Sequence, residues 1–294
     1  MSPTENAPEP AAAGAERFQT LRCERQPGEP RIARITLNRP ERLNAINQHV
    51  PGEIRRAVAL AEADDEVHVI VLAGAGRAFC AGYDLQDFGS GRAEHPCQQE
   101  KQPWEPTEDY AEMKRYTEDF MSLWRSRKPT IAMVHGACIA GGLMLAWACD
   151  LIVASQDAVF CDPVVTMGVC GVEWFVHPWE LGPRKAKEML FTADVWSADE
   201  AHRLGMVNHV VPREELSSFV LKLAGKIAAK PSFALKLTKE AVNRSVDVMG
   251  QPAAIEQAFA LHQLCHAHNL QEFGMVVDPS GLHPSVRKPT SAKI

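Results

Sequence analysis

The chain has 294 residues, 46% of them hydrophobic and 23% charged, a composition typical of a globular protein with room for a sizeable core. Its net charge of −6 at pH 7, without a basic run, argues against a nucleic-acid partner. The longest apolar stretch, residues 131–149, is interrupted by His135 and three glycines, so we expect no membrane-spanning segment.

Composition also divides the chain. Residues 1–17 are rich in proline and alanine and lack a basic segment ahead of an apolar one, which predicts a disordered tail rather than a signal peptide. We predict a core over 18–212, a helical subdomain over 213–275 and an extended tail over 276–294. The eight cysteines form no CxxC pair, which predicts buried free thiols and a cytoplasmic protein.

Strands and helices alternate in the first half of the core. Alternating hydrophobicity predicts a strand at Arg31–Leu37, and the continuous apolar run Val67–Ala73 predicts a strand buried on both faces. Helical spacing predicts helices at Gln48–Ala63 and Asp109–Arg127. Residues 89–107 have no periodicity and predict a mobile surface excursion.

The same rhythm continues through strands predicted at Ile131–Val134 and Leu151–Ala154. Such alternation predicts an α/β fold with a mostly parallel sheet covered by helices. The elements predicted after residue 160 are a helix at Pro183–Phe191, a short helix capped by Ser197 and closed by Gly205, a strand at Met206–Val211, and helices at Pro212–Ala229, Ser232–Val248 and Ala253–Asn269.

The stretch Thr130–Asp150 joins a strand to a helix through glycines. The paired Gly141 and Gly142 stand directly before the helix formers of 143–148. The first amides of a helix have no intrahelical partner, so this turn can bind an oxygen that becomes anionic during a reaction. The alternative is that the small residues only permit close packing.

A second glycine turn follows the strand at Val67–Ala73. Gly82 lets the backbone turn closely, and the amide of Tyr83 points outward as a helix begins at Asp84. Two such turns on neighbouring strands predict a backbone oxyanion hole, which suits a thioester carbonyl that becomes an enolate or a tetrahedral anion.

These segments carry a resemblance to a known family. From about residue 30 to 270 the chain resembles the enoyl-CoA hydratase/isomerase, or crotonase, superfamily. The matching pieces, in order, are LNRPERLNAIN, GRAFCAGYDL, VHGACIAGGLMLAWACDLIVAS, LGPRKAKEMLFTADVWSADEAHRLGMVNHVVP and the helix after Lys230-Pro231.

The resemblance implies a crotonase-like ββα spiral core with a C-terminal helical subdomain that trimerises, giving a homotrimer or a dimer of trimers. It implies an acyl-CoA thioester as ligand, with coenzyme A entering as part of the substrate and neither a separate cofactor nor a metal needed. The amides of Tyr83 and Gly141 would then polarise the thioester carbonyl. The substrate-contacting positions that follow are Arg42, Ala45, Asp84, Leu85, Gly142, Met144 and Val164.

Two positions depart from the hydratase pattern. Hydratases of this family carry one glutamate on the helix after the glycines and another just past a strand-ending proline, and the pair activates water. This chain has Met144 and Val164 there. Neither side chain exchanges a proton, which argues against ordinary syn hydration.

Glu173 is the candidate general acid or base, because other family members carry their working carboxylate in this glycine segment. Its apolar neighbours predict a desolvated carboxyl with a raised pKa. The alternative is that Glu173 caps a helix beginning at Trp174. Asp162 is a second candidate acid or a turn residue, and His177 either shares a proton with Glu173 or is structural.

Other reactive side chains give weaker signals. His262 and His266 have metal-ligand spacing on a helix, with His268 nearby, but without a third distant ligand we expect surface or subunit-contact histidines. Cys80 and Cys170 lie near the predicted site without an adjacent base, which argues against a thiol nucleophile. His135 is expected to be a packed histidine with a hydrogen bond.

Three functions are compatible with these residues. The first is a crotonase-type enzyme that stabilises an acyl-CoA enolate and moves a proton through Glu173. The second is a hydrolase that cleaves a carbon–carbon bond of a β-diketone in the same oxyanion site without coenzyme A. The third is a catalytically inactive acyl-CoA-binding protein.

Overall fold

The computed structural model describes residues 17–85 and 105–282. The predicted tail over 1–17 lies outside these ranges except for its last residue, as do most of the surface excursion over 89–107 and the end of the tail over 276–294. In the described start of that tail, Pro279–Gly281 form a 3-10 turn, and the amide of Asp278 donates to the carbonyl of Met167 at 2.8 Å.

Two sheets form the framework. The strands are β1 Leu21–Gln26, β2 Glu29–Leu37, β3 Val69–Gly74, β4 Thr130–Val134, β5 Ala137–Ile139, β6 Leu151–Ser155, β7 Val159–Cys161, β8 Trp196–Ser197 and β9 His209–Val211. A six-stranded sheet has the order β1-β2-β3-β4-β6-β9, and its neighbours are parallel apart from the antiparallel pair β1-β2. A three-stranded sheet has the order β5-β7-β8.

Helices make up much of the rest of the described chain. They are α1 Val50–Ala63, α2 Pro106–Phe120, α3 Ser122–Arg125, α4 Gly141–Trp147, α5 His177–Thr192, α6 Ala198–Arg203, α7 Leu216–Ala228, α8 Ser232–Val248 and α9 Gln251–Phe273. The predicted helix over 109–127 is wrong in its continuity, because it divides at Met121 into α2 and α3. Helix α5 consists of two helical segments separated at Gly182, whose φ of 72° and ψ of 156° are not helical. The second segment begins at Pro183, as predicted.

The central strand β3 is buried on both faces, as its apolar run predicts. Ile70 and Leu72 join the core that contains α1 and α4, whereas Val69 and Val71 pack against α7 on the other face. The first helix of the predicted C-terminal subdomain therefore packs against the large sheet, and the division of the chain into domains stays a prediction.

A buried cation fixes α8 to the core. Lys239 is the buried residue of this helix, and its Nζ lies 2.9 Å from Oδ2 of Asp150. The same ammonium donates to the carbonyls of Leu123 and Lys128 at 3.1 and 3.2 Å. Elsewhere α8 and α9 expose large apolar side chains, namely Phe233, Leu237, Val242, Val248, Leu261 and Leu264. Within residues 17–85 and 105–282, no helix has the length and apolar character to cross a bilayer.

Candidate functional site

The two glycine turns meet in the structure. A Cβ on Gly82, whose φ is 87°, would lie 3.0 Å from the carbonyl oxygen of Ile139 and 3.6 Å from the amide nitrogen of Gly141. A Cβ on Gly141 would in turn lie 3.7 Å from the Cα of Gly82. Hydrogen bonds of 3.0 Å between Cys80 and its partners Ala137 and Ile139 hold the turns together. The predicted juxtaposition of the Tyr83 and Gly141 turns is therefore present.

Backbone strain at Ala140 sets the direction of the second turn. Ala140 has φ 47° and ψ −111°, a combination that L-residues rarely adopt and that costs about 1–3 kcal/mol. Its own amide donates to the carbonyl of Cys161 at 2.9 Å, which holds it in place. Gly141 follows as the first residue of α4, where amides point away from the helix without an intrahelical acceptor.

Buried apolar side chains occupy the two positions where hydratases carry glutamates. Met144 lies in the first turn of α4, is 1% exposed, and brings its Cε within 3.6 Å of the position that a Cβ on Gly141 would take. Val164 is buried at the start of the 3-10 turn Val164–Met167. Gly142 packs so closely that a Cβ there would lie 2.3 Å from the carbonyl oxygen of Cys80.

Glu173 is a buried carboxyl. Its side chain is 2% exposed, and this burial raises the pKa of Glu173 to about 7. Its own backbone amide, His266 and Tyr83 act in the opposite direction and lower this pKa. The expectation that Glu173 caps a helix starting at Trp174 is wrong, because α5 begins at His177 and no side chain caps it.

Asp162 and His177 form a structural pair. The Asp162 carboxylate accepts hydrogen bonds from the amides of Val164 at 3.3 Å and Val172 at 3.0 Å, and lies 2.9 Å from His177 Nε2. Both side chains are fully buried. His177 is thus the partner of Asp162 rather than of Glu173, and the pair shapes the glycine segment that carries Glu173.

The histidines of α9 are not at the surface, which corrects that expectation for His262 and His266. Both are 5% exposed. His262 Nδ1 contacts the carbonyl oxygen of Gly171 at 2.8 Å, and His266 Nδ1 contacts Asp109 Oδ2 at 2.8 Å. Only His268 of the three is exposed. Across the described ranges, no group of three histidine, cysteine, aspartate or glutamate side chains is arranged to hold a metal ion.

An ion-pair cluster centred on Asp84 supports the first turn, and one of its members, Arg39, was not predicted. One Arg39 nitrogen lies 2.8 Å from Oδ2 of the buried Asp84, and Arg42 Nε lies 3.8 Å from the same oxygen. Asp84 thereby fixes two arginines. Ala45 is buried in the same loop, and Leu85 is the last described residue before the gap.

Asn44 is a second residue that sequence reasoning missed. It has φ 55°, and its side chain donates to the carbonyls of Ala75 and Ala78, each at 2.8 Å. An asparagine before a buried turn is the usual signal for such a left-handed residue.

His135 is packed as predicted, and the cysteines agree with the prediction in part, because Cys23, Cys170 and Cys265 are only partly buried. Burial raises the pKa of Cys80 and of Cys170 to about 12, so neither is a ready nucleophile. His135 Nε2 contacts the carbonyl oxygen of Gly76 at 3.1 Å. The described cysteines are free thiols, and Cys97 lies outside the described residues.

Comparison with known proteins agrees with this geometry. Residues 28–277 match the enoyl-CoA hydratase/isomerase family. The chain is 49% identical over 249 residues to the putative enoyl-CoA hydratase EchA13 of Mycobacterium tuberculosis, covering 81% of this chain and 78% of that protein. It is 34% identical to the crotonyl-CoA hydratase of Syntrophomonas wolfei, with 84% and 91% covered.

Solved structures give the same result. The crystal structure of a probable enoyl-CoA hydratase from Mycobacterium thermoresistibile has a TM-score of 0.79 and 44% identity, covering 88% of this chain and 99% of that one. An enoyl-CoA hydratase/isomerase from Xanthobacter autotrophicus Py2 has a TM-score of 0.77 and 33% identity, covering 88% and 95%. Fold, turns and sequence together place this chain in the enoyl-CoA hydratase/isomerase family, with the crotonase fold.

Proposed function

We propose that the protein binds an acyl-CoA thioester and moves a proton at the carbon next to its carbonyl, as in double-bond isomerisation. The amides of Tyr83 and Gly141 hold the carbonyl oxygen as it becomes an enolate, and Glu173 is the base. The observation that carries the proposal is the buried Glu173 carboxyl, whose raised pKa is lowered in part by Tyr83, a residue of the first of the two joined turns.

The proposed proton transfer has two steps. The Glu173 carboxylate accepts the proton, and the electron pair of the broken C–H bond delocalises into the thioester to give the enolate. The protonated Glu173 carboxyl then returns the proton to another carbon of the delocalised enolate. A base with a pKa near 7 suits both directions of transfer at neutral pH.

Water addition is a poorer fit to this site. Two carboxylates usually hold and activate the water in this family, and Met144 and Val164 stand in their places. Both side chains are buried and apolar, so they exclude water from the two faces where it would be held. The named hydratases among the relatives therefore supply the acyl-CoA class of substrate, and the residues of this chain favour proton transfer.

The remaining substrate contacts are those that the family resemblance implies. Arg42, with a side chain 36% exposed, meets the adenine and pantetheine portions of coenzyme A together with Ala45 and Leu85. Asp84 acts through the arginines that it holds. Gly142, Met144 and Val164 line the acyl portion. No cofactor beyond the coenzyme A of the substrate is needed for this chemistry.

Calorimetric titration with coenzyme A and with an acyl-CoA tests the ligand class. Measurable heat with both is expected, and no heat would exclude the proposal and favour a β-diketone hydrolase that works without coenzyme A. Glu173→Gln should lower the turnover number by at least about a hundredfold with binding retained, since it removes the only base proposed. Binding without turnover in the wild-type protein would identify an inactive acyl-CoA-binding protein.

The exposed apolar side chains of α8 and α9 support assembly into a homotrimer or a dimer of trimers. The free thiols support a reducing compartment such as the cytoplasm.

A further inference from the structure

A third segment, the loop that precedes α1, contacts both glycine turns. Ile46 of this loop is fully buried and pairs with Tyr83 in an isolated parallel bridge. The amide of Ile46 donates to the carbonyl of Gly82 at 2.8 Å, and its carbonyl accepts from the amide of Asp84 at 2.9 Å. Nothing in the proton transfer proposed above uses Ile46.

This pairing fixes the direction of the Tyr83 amide. The carbonyl of Gly82 and the N–H of Tyr83 belong to one peptide group, which is planar and trans, so the two point in opposite directions. Because the Gly82 carbonyl points at the amide of Ile46, the N–H of Tyr83 points away from Ile46. The direction of the first oxyanion donor is therefore set by the backbone of Ile46.

The side chain of Ile46 reaches the second turn. A Cβ on Gly141 would lie 2.7 Å from Ile46 Cδ1, well inside the separation of about 3.5–4.0 Å at which two carbon atoms pack best. The δ-methyl group therefore lies directly on the backbone of Gly141, the first residue of α4. One residue thus contacts both turns, the first through its backbone and the second through its side chain.

The loop that carries Ile46 is strained and well anchored. Leu43 and Asn44 are consecutive residues with left-handed φ values of 53° and 55°, which persist only where the surroundings hold them. The Leu43 carbonyl accepts from the amide of Ala81 at 3.1 Å, and the Asn44 side chain makes two hydrogen bonds of 2.8 Å to backbone carbonyls. These contacts leave Ile46 little freedom to move.

We propose that Ile46 is a positioning residue that sets the spacing of the two oxyanion amides. Its backbone holds the Tyr83 turn, and its δ-methyl group holds the Gly141 turn. The inference rests on the proposed function for its catalytic meaning, because that function assigns both amides to one carbonyl oxygen. Such donors act only when both lie within hydrogen-bonding distance of the developing anion. Loss of the δ-methyl group should therefore lower the rate of the reaction more than it weakens binding.

Ile46→Val tests the inference, because it removes the δ-methyl group and leaves both backbone hydrogen bonds. Ile32→Val is the matched control, since Ile32 is equally buried but packs against α7 on the other face of the sheet. We expect Ile46→Val to lower the turnover number about tenfold with the KM for the acyl-CoA little changed. Ile32→Val should keep the kinetics of the wild type.

Vibrational spectroscopy of a bound saturated acyl-CoA measures the oxyanion site itself. Hydrogen bonds from the two amides polarise the thioester carbonyl, so its stretching frequency should be lower in the complex than in free acyl-CoA. This lowering should be smaller in Ile46→Val and unchanged in Ile32→Val. An equal lowering in Ile46→Val and the wild type would overturn the inference, because a merely structural Ile46 would not affect the polarisation.

A double-mutant cycle isolates the contact between Ile46 and Gly141. Gly141→Ala keeps the amide hydrogen but places a Cβ against Ile46 Cδ1. It should lower the turnover number about tenfold in the wild-type background and much less in the Ile46→Val background, where the δ-methyl group is gone. Losses that multiply in the double variant would contradict a role for this contact.

A measurement without substrate keeps the inference separate from the proposed function. In the ligand-free protein, the amide NMR resonances of Tyr83 and Gly141 should both move in Ile46→Val and stay in place in Ile32→Val, with folding verified by circular dichroism. Unchanged resonances, or wild-type turnover in a folded Ile46→Val protein, would overturn the inference. A wild-type protein that binds no acyl-CoA would instead overturn the proposed function, and the two resonances would still decide whether Ile46 couples the turns.

Discussion

At the scale of single residues, Glu173 as the proposed base has to meet two conflicting demands. A base must be ionised, yet burial at 2% exposure opposes ionisation and raises the pKa of Glu173 to about 7. Its own backbone amide, His266 and Tyr83 lower this pKa and offset part of that cost. The result is a carboxyl that changes its protonation state near neutral pH, which is what reversible proton transfer requires.

The raised pKa of Glu173 predicts how the free energy of unfolding depends on pH. Because the folded-state pKa of Glu173 is above that of the unfolded chain, the stabilisation from its protonated form is present below about pH 4.5 and is lost as the pH rises through about 7. Glu173→Gln, a neutral mimic, should therefore raise the free energy of unfolding at pH 8 by on the order of 2 kcal/mol. Urea denaturation at pH 5 and pH 8 measures this, and the gain should be much smaller at pH 5. If Glu173→Gln changed the free energy of unfolding equally at pH 5 and pH 8, or lowered it at pH 8, burial of Glu173 would not oppose its ionisation.

A second residue-scale prediction concerns the oxyanion amide. Gly141→Pro removes the amide hydrogen and also conflicts with the positive φ of Ala140, since a residue before proline favours an extended conformation. We expect turnover to fall at least about a hundredfold. Wild-type rates in a folded Gly141→Pro protein would refute the role of this amide. Circular dichroism serves as the folding control.

Local residue patterns predicted the glycine turns and the burial of Glu173. The turns at Gly82 and Gly141 could be predicted from the sequence, because a turn depends on residues that are close together in the chain. The contact between His266 and Asp109 could not be predicted from the sequence, because these residues meet only through the packing of α2 on α9. Arg39 was missed for the same reason, since its partner Asp84 lies 45 residues away.

At the scale of elements, the buried cation of Lys239 helps to fix α8 to the core, together with the side chain of Asn243, which donates to the carbonyl of Trp124. Lys239→Met should lower the free energy of unfolding by about 3 kcal/mol, because it leaves the Asp150 carboxylate without its ion pair. Chemical denaturation of this variant against Lys222→Met, an exposed lysine of α7, measures the difference. Equal losses in the two variants would show that Lys239 contributes no more than a surface lysine.

Strands and helices were predicted correctly where their hydrophobic pattern extends over many residues. The central strands and the helices α1, α8 and α9 follow from runs of several residues. The strands β1, β5, β7 and β8 were not predicted. Strands β5, β7 and β8 have two or three residues, too few to show alternation, and β1 has apolar residues only at Leu21 and Cys23. They matter for the site, since β5 leads into the Gly141 turn and β7 into Asp162.

At the scale of the whole molecule, α8 presents an apolar face to solvent in the single chain. Phe233 is 74% and Val248 is 88% exposed. We expect assembly to cover this face, so light scattering should give a mass of three or six times 32.4 kDa. Replacing Phe233 and Leu237 together by glutamate should reduce the mass, and a monomeric wild type would contradict the expectation.

We propose that one buried carboxylate moves a proton on an acyl-CoA while no water is added. This is tested by incubating the protein with a 3-enoyl-CoA and with a 2-enoyl-CoA and following the products by mass and NMR. We expect interconversion of the two isomers without gain of a water, and loss of this interconversion in Glu173→Gln. Conversion of the 2-enoyl-CoA to a hydroxyacyl-CoA at a rate that survives Glu173→Gln would contradict it.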